Sequence, residues 1–202
     1  MAPPRLTPAW LKAVGIGSFF RPRDLEPLEI PFVDLRRLVA SGAVEKVGRG
    51  LYRLAAADIT EQYSRAAVSA RIPGAILCLL TALSYHDIGT QAPHQVWIAI
   101  PHKARMPRVP DFNVRVVRFS GKYLDVGVAS VLLEGVPARI TNPARTVVDC
   151  FRLRRLVGHD VALEAIKWAI RDRKATPAEI CKIAKPCRAD SLVGPYLELL
   201  QV

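Results

Sequence analysis

The sequence predicts an α+β protein in two parts. A small winged helix-turn-helix takes residues 1–57, and a mixed α+β domain with a small sheet and C-terminal helices takes residues 58–202. Three observations carry this. The stretch Val44-Glu-Lys-Val-Gly-Arg-Gly-Leu-Tyr-Arg-Leu54 reads as two short strands of β-forming residues around Gly48-Arg49-Gly50, a turn whose glycines tolerate positive φ. That hairpin follows a series of three helical patterns, which is the element order of a winged helix. Beyond a linker at Ala55–Asp58, strand patterns give way to a run of helical ones.

The elements are justified in order. Thr7 is placed to cap a first helix opening at Pro8, with Trp10, Leu11 and Val14 as its buried stripe and Gly15 and Gly17 ending it. A second short helix spans Arg21–Glu26 and stops at Pro27. A third covers Ile30–Ala40, with Phe32, Leu35, Leu38 and Val39 on one face and Val33, Arg36, Arg37 and Ala40 on the other. Ser41-Gly42 closes it, and the hairpin follows. In the second part, Ile59–Arg71 and Ala75–His86 read as helices separated by Pro73-Gly74. Val96–Ile100 and Val114–Phe119 read as strands, and Ser130–Leu133 with Val136–Thr141 as a hairpin around Glu134-Gly135. Asn142 caps a helix from Pro143 to about Arg155. Further helices take Asp160–Arg173, a capping-box segment beginning Thr176-Pro-Ala-Glu179, and Ser191–Leu200.

Composition narrows the class. Half of the chain is hydrophobic and 23% is charged, so a packed core is expected and wholesale disorder is not. The net charge of +11 favours a polyanionic partner. Residues 1–57 hold nine Lys/Arg against five Asp/Glu, and the remaining 145 hold twenty against thirteen, so both parts are basic. Cys78, Cys150, Cys181 and Cys187 form no CxxC pair, which favours free thiols in a reducing cytosol. The N-terminus Met-Ala-Pro-Pro-Arg lacks the apolar core of a signal peptide, and the longest apolar run, Ala75–Leu80, is too short to span a bilayer. The expectation is a soluble cytoplasmic protein.

Double-stranded DNA is the expected partner. An α-helix fits the major groove, and arginine pairs in a bidentate manner with guanine. Arg36 and Arg37 are the candidate readers, with Val33 packing on a thymine methyl and Asp34 a charge that repels phosphate unless it accepts from a cytosine amine or orients an arginine. Lys46, Arg49 and Arg53 on the hairpin, and Arg21 and Arg23 at the start of the second helix, are candidate phosphate contacts. The loop His102-Lys103-Ala-Arg105-Met-Pro-Arg108 is a basic candidate in the second part, suited to nucleic acid or to an acidic partner. Enzyme signals are weak. The four histidines show no metal-ligand spacing, and no Gly-rich phosphate loop, GxSxG or HExxH is present. Asp149, Asp160 and Glu164 with Lys167 form the best acidic set, yet a one-turn spacing more often marks a solvated face. No catalytic residue, metal or cofactor is expected.

The series Phe20-Arg-Pro-Arg-Asp-Leu25, Leu35-Arg-Arg-Leu-Val39, Val47-Gly-Arg-Gly-Leu-Tyr-Arg53, Pro93–Pro101, Val116–Ser120, Gly135–Arg139 and Asn142–Phe151 resembles the AbiEi antitoxins of abortive-infection toxin–antitoxin systems of type IV. The resemblance implies a winged helix that binds and represses its own promoter. It also implies a C-terminal antitoxin domain that counters a nucleotidyltransferase-like toxin without necessarily forming a stable complex with it. It places DNA contacts on Arg36, Arg37, Lys46, Arg49 and Arg53. It matches Arg145, Thr146 and Asp149 to the second domain's most recognisable helix, and these join Lys103 and Arg105 of the basic loop as candidate functional residues of the antitoxin domain. Phe32 and Val33 depart from the family, which commonly has basic or polar residues there. The alternative is a winged-helix transcription regulator with a ligand- or partner-sensing C-terminal domain and no toxin.

Overall fold

The computed structural model describes residues 7–57 and 60–200. It falls into two compact units. The first holds the chain up to Pro73 together with Pro107–Phe112 and Val131–Ala138. The second holds Gly74–Met106, Asn113–Ser130 and the chain from Arg139 on. The expected linker residue Asp58 and the expected helix start at Ile59 lie outside the described residues, as does the N-terminal Met1–Leu6.

In the first unit, Thr7 Oγ1 accepts from the Trp10 backbone at 3.2 Å and opens helix α1, Pro8–Ala13. Strand β1, Phe19–Phe20, was not expected from the sequence. It pairs antiparallel with β3, Leu51–Leu54, which pairs on its other side with β2, Val44–Gly48. The resulting sheet has the order β1-β3-β2. Between β1 and the next helix, where one short helix is expected, the chain makes two tight 3-10 turns, Pro22–Asp24 and Glu26–Leu28. The reason is local. Asp24 accepts from the Arg21 backbone at 2.7 Å and grips its guanidinium, closing the first turn. Pro27 then removes a donor that an α-helical ladder would need.

Helix α2, Phe32–Ala40, buries Leu35 and Leu38 against Leu11, Phe20, Leu25, Val44 and Leu54. Its outer face exposes Val33, Arg36, Arg37 and Ala40, as the periodicity required. Phe32 differs from expectation, being 57% exposed rather than buried. Side chains lean toward a helix's N-terminus, so a first-turn residue hangs off the end instead of packing on the core. Ser41 caps the end, and Gly42 turns the chain at φ +73° into β2.

The second unit contains most of a five-stranded sheet of order β6-β5-β4-β8-β7. Its strands are β4 Ile76–Leu77, β5 Val96–Pro101, β6 Val114–Phe119, β7 Val128–Leu133 and β8 Val136–Thr141. β4 corrects the expectation of a helix throughout Ala75–His86. Ile76 and Leu77 pair antiparallel with β5 and parallel with β8, and helix α4, Leu79–Tyr85, begins only afterwards. Short apolar runs have no period that separates helix from strand, and strand pairing at long range decided the outcome.

The helices are α3 Tyr63–Arg71, in the first unit, and α5 Pro143–Arg152, α6 Arg154–Val157, α7 His159–Arg171, α8 Pro177–Ala184 and α9 Asp190–Leu200, in the second. α5 is the core element: Val147, Val148, Cys150 and Phe151 are at most 1% exposed and pack with Ile166, Ala169 and Ile180. The expected caps form. Asn142 Oδ1 accepts from the Arg145 backbone at 2.8 Å, and Thr176 and Glu179 make both bonds of a capping box. The α+β architecture read from the sequence is the one observed.

Candidate nucleic-acid interface

The wing and the helix before it build one cationic face on the first unit. The β2–β3 hairpin closes through Arg49-Gly50, with Gly48 opposite Leu51 and Gly50 at φ +69°, a conformation glycine adopts without strain. Arg49 therefore stands at the tip, exposed, and Lys46 is exposed on β2. On α2, Val33 is 52% exposed and Arg36 is exposed. Asp34 is no obstacle: it accepts from the Arg37 guanidinium at 2.9 Å while the Arg37 side chain stays 77% exposed. The acid thus orients an arginine one turn away. Arg23 is exposed at the first 3-10 turn, whereas Arg21 is committed to Asp24. Among the described residues, Arg23, Arg36, Lys46 and Arg49 have no ion-pair partner. A groove of about 400 Å³ lies between α2 and the hairpin, lined by Phe32, Leu35, Arg36, Val39, Ala40, Lys46 and Tyr52.

Arg53 is placed otherwise than a phosphate contact requires. Its side chain is 6% exposed; it reaches Glu45 on the paired strand at 3.2 Å, donates to the Ala57 carbonyl and lies 5.6 Å from the Tyr63 ring centroid. It holds the wing in place. Arg53→Ala leaves the Ala57 carbonyl and the Tyr63 face without this partner, so a loss of about 1–3 kcal/mol is expected, against near-zero for exposed Arg49→Ala. Parallel thermal melts of the two variants check the contrast.

In the second unit the candidates divide. Lys103 and Arg105 are exposed on the loop after β5. Arg145, Thr146 and Asp149 are fully buried. Arg145 Nε donates to Asp149 at 2.7 Å, its other nitrogens donate to the carbonyls of Val126 and Tyr123, and its guanidinium faces the Phe119 ring at 5.1 Å. Arg152, which the sequence did not single out, donates to the second Asp149 oxygen at 3.0 Å. Thr146 Oγ1 reaches the Asn142 carbonyl and the Thr141 hydroxyl. Burial pushes the Asp149 carboxyl above its ordinary value, and the two guanidiniums pull against that. These groups form a closed network beneath the sheet, not a surface that meets a partner.

The acidic set considered for catalysis is dispersed in role. Glu164 accepts from the Thr90 backbone and hydroxyl and from Gln91, fixing the loop before β5. Among the described residues no group of three or more His, Cys, Asp or Glu is arranged to hold a metal. Burial raises the thiols of Cys78, Cys150 and Cys187, and Cys181 alone is exposed. Cys181 is therefore expected to be the one thiol that a disulfide probe titrates rapidly in the native protein, the other three needing denaturant.

A three-stranded wing sheet packed behind an exposed helix defines the first unit as a winged helix-turn-helix, a DNA-binding class. Residues 14–55, which span β1, α2 and the whole wing, match the family described as "Transcriptional regulator, AbiEi antitoxin". Over that segment the chain is similar to the AbiEi-type antitoxin transcriptional regulators. The crystal structure of the RV2827C protein from Mycobacterium tuberculosis is similar in fold, with a TM-score of 0.57 and 16% identity over 96% of this chain and 78% of that one. No curated protein matches the chain. No helix among the described residues is long and apolar enough to cross a membrane.

Proposed function

We propose that the protein is the DNA-binding antitoxin and autorepressor of a toxin–antitoxin operon. The first unit would bind the operon's own promoter. The second part of the chain would counteract a nucleotidyltransferase-like toxin. The observation that carries the regulatory half is the face formed by Arg36, Lys46 and Arg49. These cations are exposed and unpaired, on the two elements that a winged helix presents to DNA. Unpaired cations cost nothing to redirect to phosphates or base edges, and each phosphate neutralised releases counterions. Arg23, Arg37 and Val33 complete the proposed contact set. Arg53 and Arg21 are left out of it, because both guanidiniums are held by the protein itself. The module boundary is proposed at residue 57, and the cytoplasm is the proposed location.

The antitoxin half rests on the family match over residues 14–55. Two assays in cells test the two halves separately. A promoter fusion should be repressed by the intact chain and derepressed by Arg36→Ala/Arg37→Ala. Co-expression with the adjacent reading frame should rescue growth, and the same double variant, if it still rescues, separates repression from neutralisation. A chain that represses but never rescues would be a regulator without a toxin.

A further inference from the structure

The first turn of α2 carries an apolar pair that the core of the first unit does not use. Phe32 is 57% exposed and Val33 52% exposed. Among the described residues Phe32 is the only aromatic side chain classed as exposed. Single apolar side chains on a surface are ordinary, but these two are adjacent and are set around one arginine. Phe32 lies four residues before Arg36 and Val33 three, so both neighbour it across one helical turn. Phe32 and Arg36 also line the same groove beside the wing, together with Lys46 of β2.

The surroundings decide what can cover this pair. Arg36 and Lys46 have no ion-pair partner among the described residues, and the Arg37 side chain stays 77% exposed although it touches Asp34. The core of a protein interface is depleted in charged residues, whereas this apolar pair stands among cations. A bare phosphate suits the cations but not the two hydrocarbon side chains. The major groove of duplex DNA offers both kinds of partner. Guanine presents O6 and N7 to an arginine, and thymine presents its C5 methyl, which phenylalanine and other apolar groups contact. The minor groove shows only hydrogen-bonding edges. A helical turn rises about 5.4 Å and base pairs follow one another at about 3.4 Å. Side chains one turn apart therefore meet base pairs no more than about two steps apart.

We propose that Phe32 and Val33 are specificity-determining residues that read thymine methyl groups, next to a guanine read by Arg36. The proposal rests on the operator reading of the first unit and adds the base chemistry of its target: a thymine within about two base pairs of a guanine. Deleting the methyl should cost affinity and selectivity while the grip on phosphates stays as it was.

The test compares the upstream duplex with the same duplex in which deoxyuridine replaces every thymidine. Base pairing is kept and only the C5 methyl groups are removed. Fluorescence anisotropy with the full chain should show weaker binding to the deoxyuridine duplex, by about threefold for each methyl contacted. The salt slope should be the same for both duplexes, because no phosphate contact is lost. Phe32→Ala/Val33→Ala should weaken binding to the thymidine duplex by a similar factor and bind the two duplexes equally, with its melting temperature unchanged because both side chains are exposed. Arg49→Ala should keep the full penalty for deoxyuridine, which separates methyl readout from any change in duplex shape. Replacing thymidines singly should then place the sensitive one within about two base pairs of a guanine whose 7-deaza analogue weakens the parent but not Arg36→Ala. Equal affinity of the parent for both duplexes, with its preference over scrambled sequence intact, would overturn the proposal. So would a deoxyuridine penalty that survives in Phe32→Ala/Val33→Ala. Failure of the operator reading looks different: the parent would then prefer neither duplex to scrambled sequence, and the methyl proposal falls with it.

Discussion

Replacing Asp149 by alanine is expected to cost the second unit about 3–5 kcal/mol, enough to unfold much of it at physiological temperature. The carboxylate is fully buried and neutralises two guanidiniums, Arg145 at 2.7 Å and Arg152 at 3.0 Å. Arg152 is partly exposed and can turn to water. Arg145 cannot: it is wholly enclosed between α5, the Tyr123 and Val126 carbonyls and the Phe119 ring. Deleting the acid leaves a buried charge with carbonyl partners alone. The loss comes from stranding that charge and not from the net strength of the pair. The double change Arg145→Met/Asp149→Leu should therefore recover most of the stability lost by Asp149→Ala. Urea unfolding followed by far-UV circular dichroism decides it. If Asp149→Ala falls within about 1 kcal/mol of the parent, the network is not what organises α5. This reading also gives Arg145, Thr146 and Asp149 a scaffolding role within the domain proposed to act as antitoxin.

The second large effect is expected on DNA. Arg36→Ala/Arg37→Ala should weaken binding to the upstream region by about 1–3 kcal/mol for each arginine that reads a base, and flatten discrimination against scrambled sequence. Both side chains lie on the face of α2 opposite Leu35 and Leu38, so removing them leaves the core of the first unit intact. Arg49→Ala is expected to act differently. A phosphate contact at the wing tip lowers affinity for all sequences alike and makes the salt dependence shallower by about 1. The two variants thus separate readout from grip. Arg53→Ala, by contrast, should lose binding only as far as it loses the folded wing.

Much of this was legible in the sequence, for identifiable reasons. The wing was readable because Gly48 and Gly50 bracket an arginine between β-forming residues, and the caps at Thr7, Asn142 and Thr176 because their chemistry is local. β1 and β4 were not readable: each is two residues long and is defined by distant partners, Phe19 by Arg53 and Ile76 by Ala99 and Arg139. The candidate site divides along the same line. Exposure of Val33, Arg36 and Arg37 followed from the helical period. The inward turn of Arg53 did not, because at the position after Tyr52 it looked like another cation on a basic hairpin. Its partners, Ala57 and Tyr63, lie beyond the strand. Asp34 is the converse case: its charge opposes phosphate unless it orients an arginine, and its geometry does serve Arg37. The pairing of Arg145 with Asp149 at i, i+4 was visible in the spacing. The second arginine on Asp149, and the depth of the pair, required the fold.

The central claim is that the face formed by α2 and the wing binds the DNA upstream of this protein's own gene. The direct measurement is the affinity for that duplex as a function of salt, for the parent, Arg36→Ala/Arg37→Ala and Arg49→Ala. The account predicts a steep linear fall of log K with log salt for the parent, with a slope of about −0.9 for each phosphate neutralised. It predicts weaker and less selective binding for the double variant, and a slope shallower by about 1 for Arg49→Ala. Equal affinity and equal slope in all three proteins would contradict it.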